Sequence, residues 1–325
     1  FGWPSLSPPA NPTAILGEIL QTETTVMPDD SVHLKDGPPA CNVCGSIKSR
    51  RVQSHIRGTE FDVYRCAGDC GVEFLSPQPT WEQIRAIYDA SYYKAWGMAE
   101  GEVTQIGQMK RHTFARCLRQ TKRYVPGGKI LDVGTASGFF LEVAQAGGFE
   151  PFGVEVSEYS GNLAAEKFGR ERIHIGTLES APFAAGTFNA VAMSDLIEHV
   201  SSPVETLTSA ARLLRPGGVL LVMTPNRASL THALMGKNWT HYKLEHLFYF
   251  DHRSLSHAAR KSGLEIVYFR PAVKTLTLRY VHSQFATYRH WLLTPLVNAA
   301  HRLTAAQDWP LPVIIGEFVA VLRKP

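Results

Sequence analysis

The chain has 325 residues, 44% hydrophobic and 19% charged, which is long enough for two domains and too apolar for a disordered polymer. A formal net charge of +4 neither requires nor excludes an anionic partner, and no stretch is long and apolar enough to span a bilayer. The opening FGWPSLSPPANP lacks a basic start followed by an apolar core, so it does not read as a secretory signal.

Residues 1–38 hold much of the proline and few periodic apolar positions, which predicts an extended or poorly ordered segment. Cys41 and Cys44 form C-x2-C, and Cys66 and Cys70 form C-x3-C after 21 intervening residues, with Gly45 and Gly71 directly after each pair. Two such turns place four thiolates around one tetrahedral zinc ion, which predicts a zinc ribbon over 39–78, too small for a core of its own. Two disulfides are the alternative, disfavoured without a secretory signal. FDVYRC and GVEFLS are its strand candidates, and Cys117 is left over as an ordinary thiol. Residues 79–125 read as a helical linker and cap. Thr80 and Gln83 make a capping box that opens a helix through Tyr88, and a longer helix runs from about 102 to 124.

From Lys129 to Ser157 the chain reads as a buried strand, a small-residue loop, a helix, and a second strand ending on an acid. Ile130, Leu131 and Val133 supply the apolar run of a strand covered on both faces, and Gly134, Ala136 and Gly138 let the backbone turn tightly beneath a ligand. The helix from about Phe139 to Ala146 then aims its free N–H groups at that ligand, and Glu155 is placed to accept hydrogen bonds from two ribose hydroxyls. A dehydrogenase and a methyltransferase share this geometry. Ser202, Pro203 and Glu205 start a further helix that ends at Pro216-Gly217-Gly218. Residues 274–309 form a helical insert with aromatic and basic residues at helical spacing, suited to lid the pocket, dimerise or touch a membrane surface, with packing on the body as the default. Arg279, Arg289 and His290 are its candidates for an anionic substrate, against a solvated basic face.

DVGTASG has the form D-x-G-x-G-x-G with Ala136 at the middle glycine, and resembles motif I of class I S-adenosylmethionine-dependent methyltransferases. FNAVAMSDLIEHV (188–200) resembles that fold's fourth-strand motif, LLRPGGVLLVMTPN (213–226) its fifth helix-turn-strand, and GEFVAVLRK (316–324) its antiparallel last strand. The resemblance implies an α/β class: a Rossmann-like seven-stranded sheet over 126–325. It assigns S-adenosylmethionine to Asp132, Gly134, Thr135, Gly138, Glu155 and Val156, with Thr177 and Leu178 beside adenine and Ser194 and Leu196 on the donor's other side. The cysteine region ahead of such a domain is similar to a bacterial group found beside sugar, polysaccharide or natural-product pathways.

Methyl transfer needs in-line alignment and, for an oxygen acceptor, a proton acceptor. Two of the thirteen histidines qualify: His199 in DLIEHV, after the fourth strand, and His246 in EHLFYF, beyond the fifth on the same sheet edge. A structural hydrogen bond is the alternative for each, weaker for His246. His232, His241, His252 and His257 fit no common metal spacing and read as solvated or packed. The reading is a cytoplasmic methyltransferase acting on a hydroxyl of a small-molecule or glycan-type acceptor, with structural zinc and an open oligomeric state. The alternatives are a sugar C- or N-methyltransferase, an RNA or protein methyltransferase docking through its ribbon, and a non-catalytic partner subunit.

Overall fold

The computed structural model describes residues 39–56, 59–79, 105–287 and 290–325. The expected N-terminal segment 1–38, the capping box at Thr80 with its helix, and Arg289 lie outside the described residues. Elements are labelled in chain order along the described residues.

Seven strands form the main sheet: β4 (Gly128–Val133), β5 (Phe149–Glu155), β6 (Ile173–Ile175), β7 (Phe188–Ser194), β8 (Leu214–Pro225), β10 (Glu265–Pro271) and β13 (Glu317–Arg323). Their order is β10-β13-β8-β7-β4-β5-β6, and β13 alone runs antiparallel to its neighbours. Ile130, Leu131, Val191, Met193, Leu220 and Val222 are completely buried, as an apolar run covered on both faces requires. The covering helices include α1 (Gln105–Lys122), α2 (Phe139–Ala146), α3 (Glu158–Phe168), α4 (Pro203–Leu213) and α6 (His252–Lys261). Ser157 caps α3 through the Ser160 amide, and Asp251 and Ser254 close a capping box on α6. Strand order reverses between β4 and β7, so the carboxyl ends of these two neighbours open a crevice where such sheets bind ligands.

One boundary differs from expectation. α4 stops at Leu213 and the chain enters β8 at Leu214, leaving Pro216-Gly217-Gly218 inside the strand. Leu213 and Leu214 are both fully buried, which turns the chain into the sheet early, and the two glycines bond to Lys324 beyond β13.

The cysteine region makes β1 (Ser49–Gln53), β2 (Asp62–Cys66) and β3 (Glu73–Ser76), an antiparallel meander. A fourth strand, β9 (Phe248–Tyr249), comes from the far side of the main sheet and pairs with β3. The ribbon therefore lacks the isolation expected of a coreless unit. Val43, Val63, Val72, Phe74 and Leu75 lie in one apolar cluster with Trp239, Leu247, Phe248 and Tyr249. Full burial of side chains of this size stabilises by about 1.5–3 kcal/mol each, so this seam rivals a metal as a source of order.

The insert is a helical hairpin, α7 (Leu278–Thr287) and α8 (Leu293–Leu303), closed at its base by β11 (Lys274–Leu276) paired with β12 (Leu311–Val313). It reaches a few residues beyond the expected end at 309. Its base rests on α1, where the Thr275 amide donates to Thr113 Oγ1 at 2.9 Å, while Trp291 in the turn before α8 and Leu303 at its end stay more than 80% exposed. The anionic-substrate reading of Arg279 and His290 is corrected: Arg279 is taken up by Asp308 at 2.6 Å, and buried His290 accepts the Leu292 and Leu293 amides.

Candidate active site

At the carboxyl end of β4 the loop residues Gly134 and Gly138 take left-handed φ values of 76° and 88°. Ala136 between them sits at φ 48°, accepting the left-handed backbone that a glycine would adopt without strain. Two hydrogen bonds from the Gly134 and Thr135 amides to Val154 O, at 2.9 and 3.1 Å, hold the loop against β5. The Glu155 carboxylate ends β5 and accepts the Ala136 amide at 2.7 Å and the Ser157 amide at 2.9 Å. It is thus a clamp on the loop as well as an acid facing the crevice. Asp132, one strand over, is buried, and burial pushes its carboxyl up to about 8.

A cavity of about 880 Å³ opens over this loop, within the range of small-molecule and cofactor sites. Asp132, Gly134, Thr135, Glu155 and Val156 line one end, and Thr177, Leu178, Ser194 and Leu196 continue the wall. Gly138 is not among the lining residues. It turns the chain into α2, where a Cβ would meet the Phe168 ring at 2.6 Å. Ser194 Oγ is buried in this wall with no hydrogen-bond partner among the described residues, as a contact reserved for a ligand would be.

The same cavity is also lined by His199 and His246, whose rings meet edge to face with centroids 4.7 Å apart. His199 Nδ1 lies 2.8 Å from the Glu245 carbonyl, so this nitrogen carries the proton and Nε2 keeps its lone pair. His246 is buried with Nδ1 unpartnered among the described residues. Burial lowers both imidazole pKa values, His246 well below the ordinary histidine range. Glu198 accepts the Thr224 hydroxyl at 2.7 Å, approaches His199 Nε2 to 4.0 Å, and is pushed up to about 8 by burial.

Sequence reasoning gave no role to Glu198, His241, Lys274 or Glu317 beside these histidines, and read Asp195 only within the stretch 194–196 bordering the donor. His241, read as packed or solvated, lines the cavity, stacks on His246 at 6.3 Å and is driven down to about 3 by burial. Lys274 on β11 bonds Glu317 on β13 at 2.6 Å and reaches Asp195 after β7 at 3.4 Å, tying the insert to the sheet edge. Asp195 alone carried a signal, since it sits three residues before Glu198 in DLIEHV. Its left-handed φ of 54° is an uncommon conformation for a residue with a side chain.

The methyltransferase-domain family profile matches residues 109–268, the span holding the loop, Glu155 and both histidines. The chain carries a class I S-adenosylmethionine-dependent methyltransferase domain. This domain is 34% identical over 137 residues to a ubiquinone biosynthesis O-methyltransferase of Caulobacter sp. (strain K31), covering 40% of this chain and 54% of that protein. A protein of the same name from Dinoroseobacter shibae is 36% identical over 121 residues, 35% of this chain and 48% of its own length. The chain spans about half the length of the curated relatives it matches. The solved structure of an S-adenosylmethionine-dependent methyltransferase from Thermotoga maritima aligns with a TM-score of 0.46 and 22% identity over 67% of this chain and 92% of that one.

Beside the methyltransferase domain, Cys41, Cys44, Cys66 and Cys70 converge. Their sulfurs all lie within 4.8 Å of one another, with Cys41–Cys70 at 3.5 Å and Cys44–Cys66 at 3.4 Å, and none is in a disulfide. A tetrahedral ion with metal–sulfur bonds of about 2.3 Å needs sulfur–sulfur edges of about 3.8 Å, so the set fits zinc with a small expansion. The Gly68 amide donates to Cys66 Sγ at 3.3 Å, and the hydrogen bond from Cys70 holds the Cys41 thiol down to about 5. No helix among the described residues is long and apolar enough to cross a membrane.

Proposed function

We propose that this protein transfers the methyl group of S-adenosylmethionine to a hydroxyl oxygen of a small-molecule or glycan-type acceptor. The carrying observation is that one cavity is lined both by the loop and Glu155 and by His199 and His246. The sulfonium donor supplies an electrophilic carbon when bound, so the protein's task is alignment and removal of the acceptor's proton. Glu155 would hold the ribose, Asp132 the methionine amino group and Ser194 a polar donor atom, leaving the methyl carbon directed at the histidine end. His246, neutral and unpartnered at Nδ1, would take the hydroxyl proton, with His199 oriented beside it by the Glu245 carbonyl. Leu276, Val281, Phe285 and Leu293 of the insert line the same cavity, which suits an acceptor with an apolar body. The O-methyltransferase name of the curated relatives supports oxygen over carbon or nitrogen. A four-thiolate metal set suits a reducing, cytoplasmic setting. Incubation with labelled donor and a panel of hydroxylated aromatic, lipid-like and sugar acceptors tests the reading. Donor binding without transfer to any of them would favour the non-catalytic subunit.

A second reading rests on one observation. Glu198, His199 and His246 each present a ligand atom within 4.8 Å of the others, a two-histidine, one-carboxylate set of the kind that holds a divalent ion. Titrating Mn2+ into protein whose cysteine site is already filled separates the two readings. Saturable binding that disappears in Glu198→Gln supports an ion, and flat heats leave the histidine base.

The four cysteines are proposed to hold one structural zinc. Elemental analysis of protein purified without added metal should return close to one equivalent per chain, falling to near zero when Cys41 and Cys70 are both replaced by serine. A metal-free, disulfide-linked product would overturn this assignment.

A further inference from the structure

We infer that the cysteine ribbon is a brace for the acceptor histidines, so that metal at the four cysteines governs how His246 is held. This deepens the methyl-transfer and zinc readings and rests on both.

Each cysteine turn hooks onto a segment flanking one of the two histidines. Asn42, inside the first turn, donates through Nδ2 to Ser201 O at 2.8 Å, two residues after His199. Asp69, next to Cys70 in the second turn, accepts Arg253 Nε at 3.1 Å, just past the strand that follows His246. Between the hooks, β3 pairs with β9 in the register Glu73–Tyr249 and Phe74–Phe248, and the Leu75 amide donates to Leu247 O at 2.9 Å. His246 is thereby attached to a strand whose hydrogen-bonding partner begins three residues after Cys70.

The opposite side of the same segment is tied to the catalytic edge. The Leu247 and Phe248 amides both donate to Glu198 O, at 2.7 and 3.1 Å, and His199 Nδ1 donates to Glu245 O at 2.8 Å. Residues 245–248 are therefore sandwiched between the ribbon strand β3 and the exit of β7. A strand of only two residues does not hold itself in place, so its position depends on both neighbours. The ribbon's own strands meet at Cys66, the last residue of β2, and the return to β3 passes through Cys70. Four thiolates on one ion tie that return to the first cysteine turn, while without the ion the 66–72 turn keeps the Cys66 amide bond to Val72 O and the Ala67 amide bond to Lys48 O, both at 2.9 Å, but loses its tie to Cys41 and Cys44. Among the described residues, the hydrogen bonds and ion pairs that leave the ribbon reach Ser201, Arg227, Leu247, Phe248, Tyr249 and Arg253. The donor loop is held instead by Val154 and Glu155 of the main sheet.

Hydrogen-exchange mass spectrometry on the full chain tests this, with zinc content measured first and donor-product affinity read in parallel by calorimetry. Stripping zinc with a chelator is expected to speed exchange at 245–250 about tenfold or more, while amides at 130–155 stay protected and S-adenosylhomocysteine affinity changes by less than about twofold. A zinc-replete Asn42→Ala, Arg253→Ala double variant, which cuts both hooks and leaves the cysteines intact, should move the same segment in the same direction by about threefold. Unchanged protection at 245–250 in stripped protein that contained zinc beforehand overturns the brace alone. Equal loss of protection at 130–155 overturns it too, because the ribbon would then support the whole chain and not the acceptor edge. Protein isolated without zinc overturns the metal reading, and absent donor-product binding overturns the methyl-transfer reading, each by its own readout.

Discussion

Replacing His246 with glutamine is expected to lower turnover about a hundred- to ten-thousandfold while donor affinity shifts by less than about threefold. Glutamine roughly matches the imidazole's length and polarity but cannot accept a proton near neutral pH, so the change isolates proton removal from packing. His246 is favoured over His199 because His246 Nδ1 is buried without a partner among the described residues, whereas His199 Nε2 has the Glu198 carboxylate 4.0 Å away. The pH profile carries a second test. Burial lowers the His246 pKa well below the usual histidine range, and His199, Lys243 and His241 around it act in the same direction. The proton-accepting form is the neutral one, which is populated above the folded pKa. The acid limb of kcat/KM should therefore lie below about 6.5 in the wild type and vanish in the variant. Once an acceptor is in hand, His199→Gln and His246→Gln can be compared across pH. Near-wild-type turnover in both would mean that the acceptor needs no histidine base.

Much of the loop-and-Glu155 part of the cavity was legible because its signals are local. An apolar strand, a small-residue loop and an acid at the next strand's end all fall between Lys129 and Ser157, and the bounds of α2 match the expected Phe139–Ala146. The cysteine spacing is local as well. The surroundings of the two histidines were only half legible, since these groups reach one cavity from segments far apart in the chain: Glu198 after β7, His241 ahead of β9, Lys274 on β11 and Glu317 on β13. Each looks ordinary in its own sequence window. The pairing of β3 with β9 was not readable at all. A two-residue strand has no periodicity to detect, and register across so long a separation is set by the shared core of Leu75, Leu247 and Trp239. Expecting the ribbon to stand alone on its metal followed from counting only the apolar residues between 39 and 78, when Trp239, Leu247, Phe248 and Tyr249 share its core.

Glu155→Ala is expected to weaken binding of S-adenosylmethionine and its demethylated product about ten- to a hundredfold. Removing a charged hydrogen-bond partner costs about 1.5–3 kcal/mol. From sequence alone the lost bonds would be to the ribose only, leaving the fold untouched. The structure adds a second effect, because the same carboxylate accepts the Ala136 and Ser157 amides. Alanine leaves both donors without that partner and frees Ala136 from the clamp that keeps it at φ 48°, so melting should drop by a few degrees even without ligand. The two effects separate in Glu155→Gln, whose amide oxygen can still receive one backbone N–H while the charge that draws the ribose hydroxyls is gone. Glutamine should therefore recover part of the lost melting temperature and little of the lost affinity. Calorimetry with S-adenosylhomocysteine alongside thermal unfolding reads both quantities. If alanine lowers the melting temperature but leaves affinity intact, Glu155 is a loop clamp only, and the ribose must be held elsewhere in the cavity.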